Sequence, residues 1–485
     1  MPTECALGKG RKVQRVRIMT LKHALVIGLT GSFASGCSTL RDILKNGVKS
    51  GNGILKFTPF SLSDPVKEKW LEQNWSTLHS EKNLSDATKE EKEDTLKNHA
   101  PRYQLQNIGN ELRKEKSNYG VLAELAIGKA RTETCNKMDN IPLVFDSIRN
   151  TAEIECLKEE FPNFYLIAVD CGRDQRWGRV RKTYEDKKQN ETDFDNDDER
   201  DGGEDTPYGQ QVELCVDKAD ILIQNDNVDG ETNPDKASIR KKMKKKIEEY
   251  MPLLSGNKWR TPYPDEFFMS LAYTASLNSE CFKRQVGAVV VDKDENILSL
   301  GYNQNLHPLK PCVKEPGDCP RDRYKREYFQ KLKESQTAIC PRCRQPLDYT
   351  PEFKCKTENC GFKLDSHFIP DKALSRCIAL HAEARALRAL RTGEVREGSV
   401  LYTTASPCLL CAVEIANDGI QEVVYSEAYT DKKALAFLKK EHVNLRKFEG
   451  VKAQAYFKLF SPWRIEKEKE IATEIGEIES AESAD

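Results

Sequence analysis

Long apolar runs are absent from this sequence. No stretch is long and hydrophobic enough to cross a bilayer as a helix, so no membrane role is expected. A surplus of either charge is absent too: 76 Lys and Arg stand against 77 Asp and Glu, a formal net charge of -1 at pH 7. That balance supplies no global field to draw in nucleic acid or an anionic membrane. The first 18 residues hold Lys9, Arg11, Lys12, Arg15 and Arg17, but no apolar core follows them. Residues 1–19 therefore read as a flexible basic leader rather than a secretory signal, and the protein is expected in the cytoplasm. A further absence falls at position 37, where a glycine-rich loop has cysteine in place of the lysine its pattern calls for.

Cysteine, by contrast, is plentiful, with sixteen in the chain. In a reducing compartment they will not form a disulfide framework, and clustering points instead to metal. They cluster between Cys312 and Cys411, while Cys5, Cys135, Cys156, Cys171 and Cys215 are scattered as small buried residues usually are.

At 485 residues the chain is too long for one ordinary core. Residues 20–230 alternate apolar strand-like runs (ALVIGLT, IPLVFDS, NFYLIAVD, ADILIQN) with helical stretches, which predicts an α/β domain with a parallel sheet. Within it, EDKKQNETDFDNDDERDGGEDTP is polar and mostly acidic and reads as a loop that orders only with ligand. Residues 231–260, with RKKMKKKIEEY and then Pro252, Ser255 and Gly256, read as a solvated helix followed by a linker. A second α/β pattern fills 261–463, with strands QVGAVVVD, ILSLGYN, SVLYTT and QEVVYS. Residues 464–485 form an acidic tail.

The second domain carries the clearest chemistry. His381 in LHAEARALRAL and Cys408 and Cys411 in TASPCLLCAVEIA supply three ligands of the types a catalytic Zn²⁺ takes, leaving a fourth position open for water. The cysteines stand three apart at an expected helix start. There both face one way, and the unpaired N–H groups favour thiolates. Glu383, two residues past the histidine, is not needed as a ligand and is placed to move protons. His-x-Glu followed by Pro-Cys-x-x-Cys is the signature of zinc deaminases.

SECFKRQVGAVVVDKDENILSLGYN, CIALHAEARAL and PCLLCAVEIANDGIQEVVYSEAYTDKKALAFL together resemble the deoxycytidylate deaminase family over about residues 262–460, apart from an insertion. The resemblance implies a cytidine-deaminase-like α/β/α domain and a free deoxycytidine nucleotide as substrate. It also implies that Asn303, in the GYN ending a strand, contacts the nucleotide sugar, a reading preferred here over a simple strand-end turn residue. Relatives of this kind assemble through sheet-flanking helices, which implies a homo-oligomer.

The insertion, residues 338–364, holds Cys340 and Cys343 in CPRC, then Cys355 and Cys360 in CKTENC. Two close pairs outline a zinc-ribbon-like site with no open position, a second and structural Zn²⁺. Cys312, Cys319 and Cys377 lie nearby in sequence without an identifiable fourth ligand for a further metal.

ALVIGLTGSFASGCSTL has the form of a P-loop: an apolar strand into Gly31 and Ser32, then Gly36, Cys37, Ser38 and Thr39 opening a helix. Ser38 and the strand-end Asp146 suit Mg²⁺, yet with Cys37 at the lysine position no fixed charge reaches the β/γ-phosphates. Such a loop binds a nucleotide but transfers phosphate poorly. Arg149 follows Asp146, and Arg173, Arg176, Arg179 and Arg181 lie along one helix, serving either phosphates or a solvated face. With RYQLQNIGNELRKE and ADILIQN, this domain is similar to small nucleotide kinases.

A kinase-like P-loop domain joined to a deoxycytidylate deaminase resembles the anti-phage dCTP deaminases of bacteria. That resemblance implies deamination of dCTP, and often dCMP, to starve phage replication. It also implies restraint of the enzyme by a nucleotide, an RNA or a protein. A housekeeping dCMP deaminase, a polynucleotide cytosine deaminase and a zinc-holding scaffold are the competing readings. The fused domain speaks against the first, the lack of a basic-aromatic stretch near the motif against the second, and Glu383 against the third.

Overall fold

β-Branched and aromatic runs set the strands of this computed structural model. It describes residues 25–80, 83–134, 141–204, 206–226, 236–257, 259–281, 283–305, 319–335, 339–340, 344–347, 355, 376–390, 398–426 and 432–461. The chain forms two units: Met1–Ser270 with Lys447–Asp485, and Leu271–Arg446.

The first unit holds strands β1 (Val26–Thr30), β2 (Thr58–Ser61), β3 (Leu143–Asp146), β4 (Phe164–Asp170) and β5 (Ile221–Gln224), with β11 (Gly450–Val451) from late in the chain. They form one sheet in the order β11-β5-β4-β1-β3-β2, parallel except for β11, which runs antiparallel to β5. Every residue of β1, β3 and β4 is buried, as a parallel sheet covered on both faces requires. From central β1 the chain moves out to β2, returns at β3 and then crosses to β4. The loop after β1 thus opens at the switch point of the sheet, where open α/β sheets bind ligands.

The helices that matter for this site are α1 (Cys37–Asn46), α2 (Arg102–Glu115), α3 (Arg173–Asp186), α4 (Glu191–Gly202) and α5 (Lys236–Leu254). Helix α4 corrects the reading of the acidic stretch as a loop. Asn190 caps it through a capping box: its side chain accepts from Thr192 N and Asp193 N, and the Asp193 carboxylate accepts from Asn190 N. Several of its acids find partners across the fold. Asp195 pairs with Arg173, Asp198 with Arg176 at 2.7 Å, and buried Asp201 with both Arg102 and Arg149, while Asp197 accepts from Tyr184 Oη. A local window sees only repelling charge because the partners lie far along the chain.

Helix α5 is likewise not a solvated linker. Met243, Ile247, Tyr250, Met251 and Leu254 recur at helical spacing, and all five enter the hydrophobic core beside Ile27, Leu29 and Val451. The lysines occupy the other faces and mask this stripe in composition. Ile247→Ala should therefore cost about 2–4 kcal/mol in urea unfolding, whereas a solvated position would change stability by less than about 0.5 kcal/mol. The boundary at 463 also shifts: β11 and helix α8 (Ala453–Phe460) belong to the first unit, with Ala455 and Leu459 buried in its core. Lys452, 1% exposed, anchors the segment by donating from Nζ to the carbonyls of Val216 and Asp217.

The second unit contains β6 (Gly287–Val291), β7 (Ile297–Tyr302), β8 (Val400–Thr403), β9 (Glu422–Tyr425) and β10 (Asn444–Lys447), in the sheet order β10-β9-β8-β6-β7. Strands β8 and β9 are parallel, and β6 is antiparallel to both β7 and β8. Helices α6 (Ala382–Ala389) and α7 (Leu409–Asn417) pack on this mixed sheet through Ala382, Ala386, Leu387, Cys411, Ala412 and Ile415.

Candidate active site

Two helix starts build the site in the second unit. His381 is the N-cap of α6 and Cys408 the N-cap of α7, both in extended backbone, with Cys411 one turn into α7. Gly301 on β7 fixes the height of α6: a Cβ there would lie 2.2 Å from the Ala382 carbonyl oxygen and 2.5 Å from Ala386 N. Only glycine lets the helix backbone come so close to the strand.

The predicted ligands meet. His381 Nδ1 lies 3.4 Å from Cys408 Sγ and 3.3 Å from Cys411 Sγ, and the three donor atoms fall within 4.8 Å of one another. A tetrahedral Zn²⁺, with Zn–S of about 2.3 Å and Zn–N of about 2.0–2.1 Å, sets its donors roughly 3.5–3.8 Å apart, so the cluster fits zinc with little adjustment. Among the described residues it is the only such group of three or more His, Cys, Asp or Glu.

The protons of the cluster are shared unevenly. The hydrogen bond from Cys411 draws the Cys408 thiol well below the usual thiol range against the opposing effect of burial, helped by hydrogen bonds from His381 and the Cys411 backbone. Cys411 is pushed up by that same bond and by burial, and His381 is raised to about 11 by hydrogen bonds to Cys377 and Cys408. Glu383, 3% exposed, sits 3.8 Å from Cys411 Sγ through Oε2. Burial raises it to about 7, with the charge of His381 opposing, which suits a group that must both take and give protons near neutrality.

Asn303 is tied to the backbone at the end of its strand. It is 8% exposed; its Oδ1 accepts from Val286 N at 2.7 Å and its Nδ2 donates to Arg284 O at 2.9 Å. Its amide thus shapes the backbone of residues 284–286. In the insertion, Cys340 is buried, its N–H donating to Gln345 O while its carbonyl accepts from Arg344 N, and Cys355 pairs with Leu347. Cys343 and Cys360 lie outside the described residues, as does Cys312. Cys319 and Cys377 line one small cavity with Cys281.

In the first unit, Gly31, Ser32, Gly36, Cys37, Ser38 and Thr39 line a cavity of about 640 Å³. Gly36, at φ 121°, is the N-cap of α1, and no side chain caps that helix start. A Cβ on Gly31 would lie 2.3 Å from the Val169 carbonyl oxygen. Cys37 contacts the Thr30 carbonyl at 3.2 Å and Ser35 Oγ at 3.6 Å, and burial pushes its thiol up to about 11, so it is neutral. Asp146 is buried and accepts from Arg41 at 2.9 Å; its Oδ1 has no partner among the described residues.

Positive charge enters this cavity from elsewhere, through Arg102, Arg149, Arg179 and Arg240. Arg179 donates to the Ala34 and Ser35 carbonyls and so braces the loop, Arg102 and Arg149 share Asp201, and Arg173, Arg176 and Arg181 pair with other acidic side chains. Arg102, Gln106, Gln210 and Asp201 were missed as site residues in the sequence. A signal exists for the first two: Arg102, Gln106, Asn110 and Arg113 recur every three or four residues along α2, a polar stripe that a helix face must either expose or partner.

Residues 262–427 match the family profile described as the cytidine and deoxycytidylate deaminase zinc-binding region. The chain is 29% identical over 231 residues to a deoxycytidylate deaminase of Schizosaccharomyces pombe, covering 47% of this chain and 54% of that protein. It is 30% identical over 188 residues to one of Saccharomyces cerevisiae, covering 39% and 45% respectively. The match thus spans about half the length of these two relatives. Against a deoxycytidylate deaminase of Mycobacterium phage D29 the identity is 30% over 161 residues, 33% of this chain and 92% of the phage protein.

Proposed function

The chain belongs to the deoxycytidylate deaminase family, and from that membership we propose that it hydrolyses the 4-amino group of a free deoxycytidine nucleotide, dCMP or dCTP, to give the deoxyuridine nucleotide and ammonia. The observation that carries the reading is the cluster itself: His381, Cys408 and Cys411 converging, with buried Glu383 3.8 Å from Cys411. Zinc held by those three ligands would act as a Lewis acid at its open position, lowering the pKa of a water there to about 7.

Glu383 takes a proton from the attacking water and delivers it to N3 of the ring as the oxygen bonds to C4. It then carries the second proton to the amino nitrogen, the C4–N bond breaks, and ammonia leaves with the ring restored as uracil. The buried wall around Glu383 keeps its carboxyl near neutrality for both transfers.

The finer reading is dCTP as the substrate withdrawn from phage replication, with the glycine-rich loop of the first unit binding a nucleotide that controls the enzyme. The resemblance to anti-phage dCTP deaminases supports the substrate, and the arginine-lined cavity beside α1 supports the control site. Purified protein incubated with dCMP, dCTP, CMP and CTP, with and without ATP, should convert the deoxynucleotides in preference to the ribonucleotides. A single-stranded oligonucleotide should bind weakly and stay intact. Efficient deamination of the oligonucleotide, with free nucleotides untouched, would overturn the assignment.

A further inference from the structure

The cavity of the first unit contains two buried acceptors with nothing to accept. Gln106 and Gln210 are 4% and 2% exposed, both line the cavity, and neither Gln106 Oε1 nor Gln210 Oε1 has a hydrogen-bond partner among the described residues. Turning the amides over does not relieve this. Gln106 Nε2 donates to the Asp197 carbonyl at 3.0 Å and to Asp201 Oδ1 at 2.7 Å, and both of these groups only accept. Gln210 is locked by a chain. Asn110 Nδ2 must face Glu204 Oε2 at 2.7 Å, so Asn110 Oδ1 faces Arg113 and Gln210, and Gln210 must offer it Nε2 at 3.0 Å. Each glutamine therefore keeps its carbonyl oxygen free by necessity.

Buried acceptors call for a donor, and natural proteins leave few of them without one. The same cavity also offers groups that suit an anion: the start of α1, which no side chain caps, and the guanidinium groups of Arg102 and Arg149. Arg102 and Arg149 converge on the single carboxylate of Asp201, which they hold down to about 2 although burial alone would raise it. A molecule that carries both a phosphate and N–H donors would answer both sets of groups.

Resting on the reading of the cavity as a nucleotide site, we propose that it selects a nucleoside phosphate by the exocyclic amino group of its base, received by the Gln106 and Gln210 carbonyl oxygens. Adenine, guanine and cytosine carry that group. Thymine and uracil, and bases from which the amine has been removed, would turn a carbonyl or a bare C–H toward one of the two oxygens. The loss of a donor opposite a buried acceptor is the discrimination that protein sites make most sharply.

The test is equilibrium dialysis on the full chain carrying Glu383→Gln to suppress turnover, using pairs that differ at the amino group: ATP with purine riboside triphosphate, GTP with ITP, and dCTP with dUTP. Binding that survives Gly36→Asp, which sets a carboxylate in the phosphate position, is subtracted as belonging elsewhere. In at least one pair the amino-bearing member should bind at least about tenfold tighter, and Gln106→Leu or Gln210→Leu should bring that ratio to within about twofold of one. Equal binding within every pair overturns the base selection while leaving a nucleotide site in place. No binding by any of the six overturns the nucleotide site itself. If a glutamine variant fails to fold by circular dichroism, the pairs measured without it still decide the question.

Discussion

Glu383→Gln is expected to lower the deamination rate by at least about a hundredfold, and toward ten-thousandfold if both proton transfers depend on the carboxyl, with zinc content unchanged. The substitution keeps the shape of a side chain that is 3% exposed and cannot open a cavity in α6. It removes the one property the reaction needs, an oxygen that binds and releases a proton near neutrality. His381, Cys408 and Cys411 are untouched, so one equivalent of zinc should remain at this site by atomic absorption and the melting temperature should stay within a few degrees. The loss should fall on kcat rather than KM, because the group acts as bonds change rather than in holding the nucleotide. A variant that deaminates within tenfold of the parent would remove Glu383 from the mechanism.

Much of this site was legible because its chemistry is packed into two short segments. His381 and Glu383 are two residues apart, Cys408 and Cys411 three, and each pair stands at a helix start whose apolar stripe and preceding strand can be read locally. The parallel strands of the first unit were legible for the same reason, being short continuous apolar runs at regular intervals. What could not be read were pairings between distant residues. The acids of α4 looked like a solvated loop because Arg102, Arg149, Arg173 and Arg176, which neutralise them, lie 22 to 99 residues away. The core face of α5 was hidden by its lysines, and β11 adds to the first unit's sheet more than 200 residues after β5.

Asn303 and Cys37 show the same limit in single residues. A strand-end asparagine suggests a ligand contact; the fold adds that its amide accepts from Val286 N and donates to Arg284 O, pairings that sequence spacing does not reveal. The cysteine at the lysine position suggested a loop without positive charge. The fold brings arginines from α2, from the segment after β3 and from α3 to the same cavity, and of these the sequence singles out Arg149 and Arg179. Planar guanidinium groups suit holding an anion in place rather than following a transferring phosphoryl group.

Cys411→Ser should remove one equivalent of zinc and with it all measurable deamination. A catalytic zinc with three protein ligands has no spare, and a serine hydroxyl does not ionise at neutral pH to replace a thiolate. Cys411 is the stricter test of the two cysteines. It is 2% exposed and lies inside α7 against Ala412 and Ile415, so neither a water nor another side chain has room to take its place. Cys408, half-buried at the helix cap, is easier to substitute from solvent. Stability should fall as well, because zinc ties the start of α6 to the start of α7. A ligand present at a thousand times its dissociation constant contributes about 4 kcal/mol to the state that binds it. Chelation of the unaltered protein should reproduce that loss in thermal unfolding, and added zinc should restore it, whereas in the Cys411→Ser protein the part of the response that belongs to this site should be gone. If the serine variant keeps its zinc and its activity, the ligand set is wrong, and Cys377, already hydrogen-bonded to His381, becomes the residue to examine as the third donor.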